Sequence, residues 1–148
     1  MKKAVIFDID GTLADNSHRL HFLKGKKNWE LFFSGLENDT LIRETAELFK
    51  ELCATKKYDM LLVSGRPNRY KVKTEKWLRL NGIYYQELFL RGDNDKRPDY
   101  IVKQEMLGEI RKNYSVEFAF DDKPQVVEMW KKNGIFCFQC PALIPKDK

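Results

Sequence analysis

Val5-Ile6-Phe7-Asp8-Ile9-Asp10-Gly11-Thr12 carries an apolar run into two carboxylates, a glycine and a threonine. The run Ala4 to Phe7, with β-branched Val5 and Ile6, suits a strand covered on both faces, the usual state in a parallel sheet. Asp8 and Asp10 lie two apart, so extended backbone turns both side chains to the same side, and Gly11 permits a tight turn and close backbone approach to a ligand. Two acids so near each other repel unless a positive charge lies between them. A divalent cation is the natural neutraliser, and oxygen-only ligands suit magnesium. Asp and Gly are also ordinary turn residues, so a plain strand-to-loop cap explains this segment alone equally well.

The same punctuation recurs downstream. Met60-Leu61-Leu62-Val63 reads as a second buried strand ending in Ser64-Gly65-Arg66-Pro67, with Pro67 in the first turn of a helix. At that helix N-terminus the Ser64 hydroxyl and nearby backbone N–H groups could hold phosphate oxygens, or Ser64 could simply cap. The helix carries Tyr70, Thr74, Trp77 and Leu78 and stops at Asn81-Gly82. Glu87 to Leu90 is a third strand, followed by the cation-rich loop Arg91 to Pro98 and a helix from about Pro98 to Asn113. Asp99 and Lys103 are four apart on that helix and share a face. Such a pair usually means a surface ion pair of small worth, but here it lies on the rim where strand ends gather, and Lys103 would be a point charge for phosphate. Ser115 to Phe120 alternates Val116, Phe118 and Phe120 and ends in Asp121-Asp122, a second acidic pair at a strand end. Lys123-Pro124 opens a helix with Val126, Val127 and Trp130, closed by Asn133-Gly134, and Ile135 to Phe138 is the last strand.

Between the first strand and the first regular helix lies Leu13 to Asp39, of mixed polarity and poor periodicity. It is too long for a plain connection, and such insertions are usually functional, so residues 13–39 are expected to form a small flap over the site. It holds Arg19, a basic run Lys24 to Lys27, and Trp29, Phe32 and Phe33. Taken alone, Arg19 is expected to be solvated. His18 and His21 are three apart but lack a third ligand, so structural or substrate-facing roles are expected. Asp39 or Thr40 is expected to cap a helix carrying Leu41, Thr45, Leu48, Phe49 and Leu52 on one stripe.

Composition bounds the rest. The 148 residues, 43% of them apolar, make one ordinary domain with one sizeable core, and 27 Lys and Arg against 22 Asp and Glu leave +5, which suits an anionic partner. The early apolar run is cut at once by Asp8 and no stretch approaches a membrane span, so a cytoplasmic protein without signal peptide or membrane contact is expected. Cys53, Cys137 and Cys140 are an odd number, which argues against a disulfide framework. Cys137 and Cys140 have CxxC spacing but fall in a predicted strand without a second pair, so they read as thiols rather than zinc ligands.

Strands alternating with helical segments give an α/β fold: a Rossmann-like open parallel sheet of about five strands, helices on both faces. In such sheets ligands bind outside the carboxyl ends of the strands, where Asp8, Asp10, Ser64, Asp121 and Asp122 all fall, with Lys103 on the adjoining helix. Acids that need a cation beside cations that prefer an anion describe a site for magnesium plus a phosphate.

In that order, and across nearly the whole chain, Asp8-Ile9-Asp10-Gly11-Thr12, Ser64, Lys103 and Asp121-Asp122 resemble the four signature motifs of the haloacid dehalogenase (HAD) superfamily of phosphotransferases. More narrowly, Asp8 to Ala14, Val63 to Arg66, Arg97 to Glu105, and Asp121-Asp122 through Gln125 to Trp130 resemble the 3'-phosphatase domain of phage polynucleotide kinase. The pattern departs at Lys123, where that relative has arginine, and in much of the flap. The resemblance implies an aspartyl-phosphate mechanism with Asp8 as nucleophile and Asp10 as general acid and then base, its pKa raised for that work. It implies magnesium held by Asp8, the Asp10 carbonyl and Asp121, with Asp122 supporting the shell, and phosphoryl oxygens held by Thr12, Ser64 and Lys103. Asp99 would orient Lys103 or a loop cation, and Arg19, Arg66, Arg91 and Arg97 would grip the substrate.

The expected activity is therefore a magnesium-dependent phosphomonoesterase, acting on a DNA or RNA 3'-phosphate. The alternatives are a nucleotidase or other small-molecule phosphatase, and a non-catalytic nucleic-acid-binding module. No GxxxxGK[ST] phosphate loop is present, so this chain alone is expected to lack 5'-kinase activity, which a partner chain could supply, and a separate kinase or ligase chain is a candidate partner.

Overall fold

Lys2–Phe7 (β1) is the central strand of a five-stranded sheet in the computed structural model, which describes residues 1–143. Asp59–Pro67 (β4) and Tyr114–Asp121 (β6) flank it, and Glu87–Arg91 (β5) and Phe136–Gln139 (β7) form the edges, giving the order β5-β4-β1-β6-β7. All four pairings are parallel, with Phe7 level with Leu62 on one side and Phe120 on the other. The chain builds outward from β1 through β4 to β5, then returns to β6 on the far side of β1. Right-handed crossovers running in opposite directions place helices on opposite faces. Arg43–Ala54 (α2) and Lys71–Leu80 (α3) cover one face, and Asp99–Ile110 (α4) and Pro124–Lys132 (α5) the other.

β1 shows how its sequence makes two cores. Val5 and Phe7 point into a cluster with Met60, Leu62, Phe49 and Trp77, whereas Ala4 and Ile6 point into one with Leu61, Val63, Met106 and Trp130. Both sets are buried, as period-two alternation in a doubly covered strand requires. Cys137 and Cys140 fall in different clusters, buried and free, and burial pushes their thiols up to about 12 and about 11. No helix among the described residues is long and apolar enough to cross a membrane.

Residues 13–39 fold as a small layer of their own. Ala14–Asp15 (β2) pairs antiparallel with Thr40–Leu41 (β3) at its neck, and between them lie a 3₁₀ turn Ser17–Leu23, the helix Trp29–Ser34 (α1) and a second 3₁₀ turn Leu36–Asn38. Buried Phe32, Phe33 and Leu36 give it a separate apolar cluster, against which Tyr70 packs.

Two local expectations are corrected. Asp39 and Thr40 do not cap α2, which begins at Arg43 after Ile42; Thr40 is in β3 and the Asp39 side chain turns inward to two arginines. Ser64, Gly65 and Arg66 do not open a helix, because β4 continues to Pro67 and a 3₁₀ turn, Asn68–Tyr70, precedes α3. The register shift between Val63 and Pro67 frees the backbone there from regular pairing with β5.

Candidate active site

The carboxyl ends of β1, β4 and β6 converge on a cavity of about 270 Å³ lined by Asp8, Asp10, Gly65, Lys103 and Asp122 and by side chains of the 13–39 layer. Asp8 follows β1 directly, and its N–H donates to the Phe120 carbonyl at 3.0 Å, which fixes it against β6. Its carboxylate accepts from the Thr12 hydroxyl at 3.2 Å and from Lys103 Nζ at 2.9 Å. Lys103 reaches down from α4, fully buried, and also donates to Asp121 at 2.8 Å. Burial, and then Asp121, push the Asp8 carboxyl well above the usual carboxylate range against the pull of Lys103. Burial disfavours the Lys103 ammonium, but Asp121 and Asp8 outweigh it and hold its pKa above the ordinary value.

The cation expected here has a fitting donor set. Asp8, Asp121 and Asp122 each offer a carboxylate oxygen within 4.8 Å of the others. Oδ1 of Asp122 is buried and has no hydrogen-bond partner among the described residues. Burial pushes the Asp122 carboxyl up, with Asp121 adding to it and a side-chain hydrogen bond with Asp8 opposing. Lys103 bonds two of these three carboxyl groups, and the unpartnered oxygen of the third lies in the same cluster, an all-oxygen donor set that suits a hard divalent ion. Gly11, at φ +82°, makes room for the Asp122 carboxylate, which a Cβ there would run into. The Asp10 carboxylate is not part of this cluster.

That carboxylate is held elsewhere. Arg66 grips it as a fork, Nε to Oδ2 at 3.0 Å and Nη2 to Oδ1 at 2.8 Å, and Arg19 Nη2 adds a 2.7 Å bond to Oδ1. Arg19 also donates to both oxygens of Asp39, at 2.8 and 2.6 Å, and to the Phe32 carbonyl at 3.1 Å, while Arg66 also donates to the Thr74 hydroxyl. Both guanidiniums are buried, at 1% and 0% exposure. Trp77 Nε1 anchors the Asp39 carbonyl at 2.8 Å, and His18 Nε2 lies 2.7 Å from its side chain. Burial pushes the Asp10 carboxyl up, but Arg66 and then Arg19 overcome it and hold the group well below the usual range. The sequence-based expectation of a raised pKa is therefore reversed, because two guanidiniums outweigh desolvation. Arg19 and Arg66, expected to grip substrate or, for Arg19, to be solvated, are placed on acids instead. Asp39 is the residue that sequence reasoning missed: its partners are 20 and 27 positions away, and locally it looks like a cap.

The remaining candidates form the rim. Ser64 is fully buried beside Gly65, and its hydroxyl accepts the Arg66 N–H at 3.1 Å. Asp99 does not pair with Lys103, one helical turn away; it pairs with Arg91 from the end of β5 and with Lys123. Burial would raise Asp99, but Lys123, Lys103 and Arg91 depress its pKa. Arg91 also donates to the carbonyls of Gly65, Asp95 and Arg97, tying the loop after β5 to the loop of β4. Arg97 lies outward in exposed forks with Asp95 and Glu105. Neither Arg91 nor Arg97 lines the cavity.

Residues 2–142 match the sequence model of the family described as the polynucleotide kinase PNKP phosphatase domain. The chain is 28% identical over 131 residues, 87% of its length but 18% of the other's, to a protein of Autographa californica nuclear polyhedrosis virus described as a bifunctional polynucleotide kinase/RNA ligase. It superposes on a chain from a solved Pnkp1/Rnl/Hen1 complex at a TM-score of 0.81 with 37% identity, covering 98% of this chain and 48% of that one. A hydrolase from Streptococcus pneumoniae shares the fold alone, with a TM-score of 0.63, 17% identity, and 96% and 94% coverage of the two chains. The chain thus spans about half the length of the solved chain, and less of the viral protein.

Proposed function

We propose that this chain, which belongs to the polynucleotide kinase PNKP phosphatase domain family and is a phosphatase of the HAD type, is a magnesium-dependent polynucleotide 3'-phosphatase. The observation that carries the reading is the Asp8 carboxylate, buried at the end of β1 and flanked by Thr12, Lys103 and Asp121 in one cavity with Asp10. Asp8 attacks the phosphorus, the bond from phosphorus to the sugar 3'-oxygen breaks, and Asp10 gives that oxygen its proton. Water, deprotonated by Asp10, then hydrolyses the aspartyl-phosphate and releases phosphate. The Arg19 and Arg66 forks favour ionised Asp10, which suits the base role of the second step. A phosphate dianion entering beside it raises its pKa by repulsion, which suits the acid role of the first. Thr12, Ser64 and Lys103 surround the transferring phosphoryl oxygens.

Magnesium, held by Asp8, the Asp10 carbonyl, Asp121 and Asp122, would supply charge neutralisation between nucleophile and phosphate. Residues 13–39 serve as a flap on this single domain, and the three free cysteines fit a cytoplasmic setting. Since solved relatives sit in complexes named for several components, a separate kinase or ligase chain would complete end healing.

The test is phosphate release, with magnesium, from a 3'-phosphorylated oligonucleotide beside its 5'-phosphorylated counterpart, a 3'-mononucleotide and an aryl phosphate, with Asp8→Asn as control. Selective, Asp8-dependent release from the 3'-phosphorylated strand supports the proposal; equal or better release from small esters overturns the substrate. The modest cavity volume favours that second reading, a nucleotidase, and weak salt dependence would go with it.

A further inference from the structure

The cavity has a wall that phosphate chemistry does not use. Leu20, Leu23, Trp29 and Phe32, all from residues 13–39, line the space that also holds Asp8 and Lys103. A phosphoryl group is recognised by charge and hydrogen bonds, so an apolar wall beside it faces another part of the substrate. Trp29 is 46% exposed, whereas the other two tryptophans, Trp77 and Trp130, are 3% and 0% exposed. Its ring is braced by Phe32, edge-on at 5.8 Å, and by Phe33, near-parallel at 6.0 Å, so it is preset while much of it stays open. Next to it the sequence Lys24-Gly25-Lys26-Lys27 is exposed, and the Lys27 ammonium lies 5.7 Å from the Trp29 ring centre. Among the described residues none of these three lysines is ion-paired.

A half-exposed aromatic ring beside lysines without carboxylate partners, one of them resting over the ring, is the arrangement by which proteins hold unpaired nucleic acid, the ring stacking a base once the lysine leaves it for a phosphate. The cavity, about 270 Å³, is at the small end of ligand pockets and admits one nucleotide unit rather than a run. We propose that Trp29 is the stacking platform for the terminal nucleobase of a single-stranded 3'-end, and that Lys24, Lys26 and Lys27 pair with the phosphates that precede it. This rests on the polynucleotide reading above and assigns it a subsite on the 13–39 layer.

Two measurements separate this subsite from the activity itself. In the first, a 3'-phosphorylated single strand is compared with the same strand ending in an abasic residue. In the wild type, removing the base raises KM by about 5- to 150-fold, the range expected for loss of one base–aromatic stack. In Trp29→Ala that penalty collapses to within about 2-fold, and Trp29→Phe restores most of it. Replacing the three lysines by alanine lowers the slope of log affinity against log salt by about two, at roughly 0.7 per single-strand phosphate contact. If Trp29→Ala slows both substrates by the same factor, its role is structural and the stack is overturned. In the second, the Asp8→Asn protein is titrated with the 3'-phosphorylated strand and tryptophan emission is followed. Because Trp77 and Trp130 are buried, a saturable quench that disappears in Trp29→Phe supports stacking, and no quench overturns it. A wild type that releases no phosphate from the strand yet shows the quench would remove the functional reading while leaving the stack standing.

Discussion

Asp10 is where two requirements meet. The proton trade proposed for Asp10 needs a carboxylate near its transition, yet Arg19 and Arg66 favour its ionised form, and Asp39 holds the arginines. Two buried cations facing two acids are balanced as a set, and the balance fails if one acid is removed. Asp39→Ala is expected to lower unfolding free energy by about 3–5 kcal/mol, the usual cost of breaking a buried pair, measured by urea denaturation. Asp39→Asn, which keeps the acceptors, should lose less. The expectation is sharpened by geometry, since Asp39 also carries the Trp77 bond that pins the 13–39 layer to α3. An unchanged denaturation midpoint in Asp39→Ala would show that Asp10 alone suffices for both guanidiniums. The sequence brought Asp10, Arg19 and Arg66 forward one at a time, without showing whom each one touches. Ion pairing across 20 to 56 positions is a product of the fold, and no local pattern encodes it.

Elements were legible where periodicity and punctuation agreed. β1, with four apolar residues cut by Asp8, and β6, alternating up to Asp121-Asp122, could be read directly, because burial on a sheet imposes a period the side chains must obey. The end of β4 could not. Pro67 suits the first turn of a helix equally well as the last residue of a strand whose pairing has shifted, and only the neighbouring β5 decides between them. That irregular end has a purpose in packing: Gly65 comes so close to Asp99 that a Cβ would run into its carboxylate. Asp99 cannot swing away freely, being held by Arg91 and Lys123. Gly65→Ala is therefore expected to push α4 or the β4 end outward and shift the cavity lining. A displacement of this kind near reacting groups costs on the order of 10²-fold in kcat/KM. Steady-state kinetics on the 3'-phosphorylated strand, with circular dichroism to verify folding, would check it. Wild-type kinetics in a folded Gly65→Ala protein would mean that the contact yields without reaching the site.

Across the whole molecule, the strand order makes the site a joint between two halves of the sheet. β1, β4 and β5 were laid down in one direction and β6 and β7 in the other, and Lys103 bridges Asp8 of the first half to Asp121 of the second. Asp8, Asp121 and Asp122 bring three carboxyl groups together there, and Lys103 bonds two of them. A cation that binds only the folded joint stabilises the whole domain by mass action, about 2.7 kcal/mol at a hundred times its Kd. For a chain of 148 residues this corresponds to a rise in Tm of roughly 5–11 °C. Magnesium is expected to raise Tm saturably in the absence of any substrate, with EDTA reversing the rise. Asp121→Asn should abolish it, since that residue is a member of the proposed cation cluster and bonds Lys103, and Asp122→Asn should weaken it. Asp39→Asn, remote from the cluster, should keep the full rise although its starting Tm is lower. A Tm that ignores magnesium while EDTA still abolishes phosphate release would mean that the ion arrives only with the phosphate, so that the joint is closed by Lys103 alone until substrate binds.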